Sequence, residues 1–258
     1  PPIVQARPTP AVAATATAPP PTAAASPAAV ATARPEPPAN DGSGLSQLYD
    51  RGTSGRMQVA LTFDAGADRG KAAQILDILA KRGVKASFGI TGHWAVENPD
   101  LVKRMAADGH MIFNHTWTHR SYTGYSTSPG ESVIDTAERI KEITDSADEI
   151  KSLTGYETAP YFRPPYGDYD DSSLTDVAAA GYWVSVMWTC DSLGWNWAST
   201  DQIIERCGAE GSKGAVPGGI ILMHVGAASL DAEALPGLID ALEGQGFALV
   251  TVEQLLQP

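Results

Sequence analysis

Residues 57–63 read Met-Gln-Val-Ala-Leu-Thr-Phe, and residues 71–82 read Lys-Ala-Ala-Gln-Ile-Leu-Asp-Ile-Leu-Ala-Lys-Arg after a short polar loop. The run Met57–Phe63 reads as a buried strand. The second segment places Ile75, Leu76, Ile78 and Leu79 on one side of a helix and stops at Gly83, a residue suited to the left-handed backbone that ends helices. Val84–Thr91 then reads as another strand. Strand, helix and strand in succession form the unit from which parallel sheets are built, because parallel partners need a long crossover.

The pattern continues to the C-terminus. Strand-like runs recur at His110–Asn114, Tyr161–Arg163, Tyr182–Trp188, Ile220–His224 and Phe247–Val252. Asn98-Pro99 supplies a cap and first-turn proline for a helix ending before Gly109. Ser128-Pro129-Gly130-Glu131 has capping-box spacing before a long helix that turns Ile134, Ile140, Ile143, Ile150 and Leu153 inward. Shorter helices fit Ser172–Ala180, Thr200–Cys207 and Asp231–Leu242. The sum is an α/β fold, a distorted (β/α) barrel of about seven parallel strands. An open doubly wound sheet is the competitor, but no Gly-x-Gly-x-x-Gly follows the first strand, so a dinucleotide site has no support.

Upstream the composition changes. Residues 1–40 hold 11 of the 19 Pro and 14 Ala of this 258-residue chain. Such a stretch cannot bury enough apolar surface to offset its ordering entropy. Residues 1–50 are therefore expected to be a disordered Pro/Ala-rich linker, suited to a stalk, and residues 51–258 the folded domain. The chain opens on Pro-Pro without Met, as expected where an upstream segment, such as a signal peptide or anchor, has been removed. Thirty acidic against 18 basic residues give a net charge of −12, so there is no basic footprint for nucleic acid. No run approaches the roughly 20 apolar residues of a membrane span.

In parallel β/α folds the site gathers at the C-terminal strand ends. Asp64 ends the first strand, His115-Thr116-Trp117-Thr118-His119 follows the third, Arg163-Pro164-Pro165-Tyr166 the fourth, Asp191 the fifth, and His224 closes the sixth. Histidines at i and i+4 can face one metal if the chain between them is helical or tightly turned. A metal-held water also needs a base, an oxyanion stabiliser and an acid. Asp64, the Tyr166 backbone and His224 can take those parts, with Arg163 either serving Asp64 or forming a structural ion pair. His93 and His110 read as structural. Trp195 and Trp117 are candidate sugar-stacking residues, whereas Trp183 and Trp188 read as core. Cys190 and Cys207 either pair or stay as buried thiols.

These segments, in this order, resemble the polysaccharide deacetylases, the NodB-homology domain of carbohydrate esterase family four, over residues 56–256. Thr62-Phe63-Asp64 matches the first motif and implies that Asp64 is the catalytic base. His115-Thr116-Trp117-Thr118-His119 matches the metal motif, implying that His115 and His119 hold a divalent ion, zinc first, with cobalt or nickel possible. Arg163-Pro164-Pro165-Tyr166 implies an Arg that tethers the base and a Tyr backbone N–H at the oxyanion. Leu222-Met223-His224 implies a general acid. Two positions depart from the pattern: Ala65 stands where the family has a metal-binding Asp, and Gly194 where an Asp precedes Trp. Asp68, otherwise a helix cap, is the expected third metal ligand, and Asp191 the expected partner of His224.

The resemblance implies a metal-dependent hydrolase removing N-acetyl groups from a peptidoglycan- or chitin-like polysaccharide, acting outside the cell or tethered to its surface. Two alternatives use the same site: a catalytically degenerate glycan-binding domain, and an acetyl-ester hydrolase on xylan-like polymers.

Overall fold

The computed structural model describes residues 34–53, 55–126 and 133–258. Its frame is a parallel half-barrel with helices on its outside. The segment around residue 57 becomes β2 (Gln58–Ala65), and every residue from Val59 to Ala65 is buried. It lies between β3 (Ser87–Ile90) and β8 (Gly219–His224), and its first three residues also pair with β9 (Ala248–Val250). On the far side of β3 follow β4 (Met111–Asn114), β5 (Tyr161–Phe162), β6 (Val184–Val186) and β1 (Gln47–Tyr49); beyond β8 lies β7 (Cys190–Asp191). Among the described residues the row ends at β1 and β7, which do not pair, so the barrel is half closed.

Pleating explains how one strand serves two environments. Val59, Leu61, Phe63 and Ala65 point into the large apolar cluster beneath α1 (Ala72–Arg82) and α7 (Asp231–Gly244), where they meet Leu76, Leu79, Leu235 and Leu238. Ala60 belongs to a smaller inner cluster with Phe113, Tyr161 and Val186, and the alternation leaves Thr62 and Asp64 on the inner face at the top of the strand. Phe63 stacks on Phe88 at 5.4 Å between ring centroids. Truncating so buried an aromatic ring costs about 3–5 kcal/mol.

Several boundaries differ from the sequence reading. Most strands are shorter than expected, while β2 runs on to Ala65 and β8 starts one residue earlier, and α2 (Gly92–Glu97) forms directly after β3, capped by the Thr91 hydroxyl. It precedes α3 (Pro99–Ala107), whose first residue is the expected proline. The proposed cap at residues 128–131 lies outside the described residues; α4 (Thr136–Thr154) is capped by a reciprocal Asp135–Glu138 box. The helices α5 (Asp171–Ala179) and α6 (Thr200–Gly208) fall where expected. Cys190 and Cys207 form a disulfide tying β7 to α6.

The domain boundary also moves. Residues 1–33 lie outside the described residues, but residues 35–50 belong to the folded unit. β1 pairs with β6 in parallel, Ser46 is buried with its hydroxyl 2.8 Å from that of Ser185, and Trp183 Nε1 donates to the Pro38 carbonyl. A three-residue edge strand next to a Pro/Ala tract carries too little periodicity to be read in advance.

Candidate active site

The β2–β8 register sets Asp64 directly opposite His224. Asp64 is nearly sealed from solvent, and its Oδ1 accepts a 2.7 Å hydrogen bond from Arg163 Nη1. Arg163 is wholly buried. Its Nε donates to the Val186 carbonyl and its Nη2 to Thr62 Oγ1, while the guanidinium lies over the Phe113 and Trp188 rings. Gly89 makes the room, since a Cβ there would lie 2.6 Å from Asp64 Oδ1 and 2.5 Å from the Phe113 ring. Burial works against the Asp64 charge, but the Arg163 guanidinium and the neighbouring histidines outweigh it and hold the carboxyl below its ordinary value. Its second oxygen, Oδ2, is 3.5 Å from His115 Nε2.

Residues 115–119 form a tight turn. Thr116 and His119 adopt φ of 67° and 65°, conformations that cost about 1–3 kcal/mol each for non-glycine residues. Hydrogen bonds hold them there. Asn114 Oδ1 accepts the Thr116 N–H, Thr116 Oγ1 accepts the His119 N–H, and Glu142 on α4 accepts from the N–H groups of Trp117 and Thr118 and from the Thr118 hydroxyl. The turn brings the two imidazoles together, with ring centroids 4.8 Å apart. Burial pushes both down, His119 to about 3, so both are neutral near pH 7, the form that ligates metals. His115 Nδ1 donates to the Arg163 carbonyl at 2.8 Å, which leaves Nε2 as the lone-pair nitrogen.

This donor set fits a divalent ion held by two imidazoles, with its other positions open to water and substrate. A third protein ligand is not assembled: among the described residues no three His, Cys, Asp or Glu side chains form a metal-holding group. Ala65 points into the apolar cluster, away from Asp64. Asp68 is exposed and spends its Oδ1 on the Ala227 N–H at 2.9 Å, joining the loops after β2 and β8.

The His224 side of the cleft is built differently. His224 ends β8 with the Trp195 ring edge-on to it, centroids 6.4 Å apart. Asp191 serves that tryptophan, not the histidine: its oxygens accept from Leu193 N and Trp195 Nε1. The carboxylate that touches His224 is Asp231, whose Oδ2 accepts the His224 backbone N–H at 2.8 Å. Sequence reasoning missed Asp231, because an acid in the first turn of a helix is accounted for by the helix dipole. It missed Glu142 too, an acid on a solvated helix face whose role appears only when the turn is packed against it.

Around these groups lies a cleft of about 560 Å³. Tyr166, at φ 61° after Arg163, stands edge-on to His119 and half-exposed. Trp195 lines the cleft and is half-exposed. Trp117 does not line it; its ring covers Gly92, where a Cβ would come within 2.1 Å of it. Trp188, read as core, packs against the inner apolar cluster and also forms a wall of the cleft.

Known proteins are similar to this chain in sequence and fold. The family model for polysaccharide deacetylases matches residues 51–185. A peptidoglycan-N-acetylmuramic acid deacetylase of Bacillus subtilis is 30% identical over 85% of this chain and 81% of its own length. A chitooligosaccharide deacetylase of Sinorhizobium fredii is 32% identical over 79% of this chain and 94% of its own. The crystal structure of a family-four pseudoenzyme from Bacillus anthracis superposes with a TM-score of 0.70 and 25% identity, covering 82% of this chain and 69% of that one.

Proposed function

The chain belongs to the polysaccharide deacetylases, and from that premise we propose that it is a divalent-metal-dependent hydrolase of N-acetyl groups on an envelope glycan, acting outside the cell. The observation that carries this reading is the pairing of a buried, Arg-held carboxylate with a histidine across one ladder, beside two neutral imidazoles. The metal, zinc first, would be held by His115 and His119 and would polarise the acetyl carbonyl and acidify a water.

The chain's own groups do the rest. Asp64, with Oδ1 tied to Arg163, keeps Oδ2 to take the proton of the attacking water. The Tyr166 backbone N–H faces the oxygen that becomes negative as water adds to the carbonyl carbon. His224 gives a proton to the amide nitrogen as the C–N bond breaks, so that acetate and a free amino sugar leave. Trp195 and Trp188 supply aromatic faces for pyranose rings. The test is acetate release from peptidoglycan, chitooligosaccharides and acetylated xylan, each with and without added zinc. Release from an N-acetylated glycan is expected; release from xylan alone would make the protein an acetyl-ester hydrolase.

A second reading, a glycan-binding domain without turnover, draws on the missing third ligand and on the pseudoenzyme among the similar structures. It expects saccharide binding with no acetate whatever metal is supplied. Against it stands the full set of base, tether and acid.

A further inference from the structure

His224 Nδ1 and Asp231 Oδ1 are both buried, and neither has a hydrogen-bond partner. Their residues are already joined, since Asp231 Oδ2 accepts the His224 N–H at 2.8 Å and the Ser229 hydroxyl, also at 2.8 Å. The carboxylate is therefore clamped to the backbone of the very histidine whose ring nitrogen lacks an acceptor. Leaving a buried polar group unpaired is costly, and here the two unpaired atoms belong to residues already joined by a hydrogen bond.

The surroundings keep Asp231 in place and keep others out. It is fully buried at the first position of α7, where the helix dipole favours negative charge. Burial pushes its carboxyl up, against the His224 N–H, the Ser229 and Ser192 hydroxyls and the His224 charge, which favour ionisation. Gly194 leaves the space beside it open: a Cβ there would lie 2.6 Å from Asp231 Oδ1 and 2.5 Å from Ser229 Oγ. Asp191 is engaged elsewhere, accepting from Leu193 N and Trp195 Nε1.

We infer that Asp231 is the positioning residue of His224, its Oδ1 accepting the Nδ1 proton so that Nε2 is the nitrogen that delivers a proton into the cleft. The inference rests on the acid role given to His224 above. When Nε2 gives its proton to the departing amine, the imidazole is left neutral with its remaining proton on Nδ1, and Asp231 stays ionised throughout. An amide at 231 would turn an N–H toward Nδ1 and place the neutral histidine in the other tautomer.

Nitrogen-15 NMR of the full chain, at a pH where the imidazole is neutral, reads this directly. The wild type should show His224 protonated on Nδ1, and Asp231→Asn should show it protonated on Nε2. Gly194→Ala, which pushes on Oδ1 without removing a carboxylate, should shift the tautomer the same way and covers the case in which Asp231→Asn fails to fold. With the N-acetyl glycan that the wild type turns over, Asp231→Asn should lower kcat at least tenfold with KM within about twofold. An unchanged tautomer in the folded variants would overturn the inference, as would a switch caused by Asp191→Asn instead. A wild type that releases no acetate would refute the proposed activity, and the tautomer would still decide this point.

Discussion

The two sides of the cleft are built to different standards. On the base side, Arg163 makes hydrogen bonds to Asp64, Thr62 and Val186, Asp64 sits under a glycine, and His115 is pinned to the Arg163 carbonyl. On the acid side, Gly194 lies close against Asp231, where a Cβ would come within 2.6 Å of Oδ1, yet His224 and Asp231 each keep a buried atom unbonded. The saturated half is rigid before substrate arrives. On our inference the unsaturated half is completed when Asp231 Oδ1 accepts the His224 Nδ1 proton, the carboxylate staying ionised.

The largest effect should come from breaking the saturated half. Arg163→Ala leaves Asp64 buried without its counter-charge, which costs about 3–5 kcal/mol. Urea unfolding should show that loss, with acetate release at background. Asp64→Asn and His224→Ala should each lower the rate by about 10²–10⁴. His224→Ala should leave the melting temperature close to wild type, whereas Asp64→Asn strands the buried Arg163 charge and should lower it. Equal stability losses in Arg163→Ala and His224→Ala would erase the contrast between the sides.

Much of the base side was legible because its residues sit at strand ends flanked by apolar runs, where alternation aims Asp64 and Arg163 inward. Asp231 was not legible, since its partner lies seven residues back across a loop and only β8 and α7 together bring them into contact. Asp68 was assigned to the metal from loop reach alone. Reach does not determine direction, and the contact its Oδ1 makes, accepting the Ala227 N–H, could not be read from the loop. The first strand was hidden for a related reason: three residues at a sheet edge acquire their meaning from β6.

Smaller effects sharpen the picture. A chain starting after residue 50 loses β1 and the Ser46–Ser185 contact and should melt at least about 4 °C lower than one starting at Pro35. Equal melting temperatures would return that segment to the linker. Asp68→Ala should leave zinc affinity, measured by calorimetry, within about threefold, whereas losing even an indirect metal partner typically costs 10–100-fold. A tenfold drop would restore Asp68 as the third ligand.

The smallest effect lies away from the cleft. Burial, with Lys85 nearby, lowers His110 from 6.5 to about 4. Between those values the unfolded chain takes up a proton that the folded chain refuses. The stability from neutral His110 is therefore complete above pH 6.5 and is lost as the pH falls toward 4. Melting curves from pH 7 to 4 should show that decline, to which the depressed His115 and His119 also contribute, and His110→Gln should make it shallower.

The central claim is that two imidazoles and Asp64 together make a metal-dependent deacetylase. Its most direct measurement is acetate released from an N-acetylated glycan by chelator-stripped protein as zinc is added back, for wild type, His119→Ala and Asp64→Asn. Wild type should gain activity in step with one bound zinc, His119→Ala should need at least tenfold more zinc, and Asp64→Asn should bind zinc normally yet release no acetate. Undiminished acetate release from the stripped wild type, or from Asp64→Asn, would contradict the account.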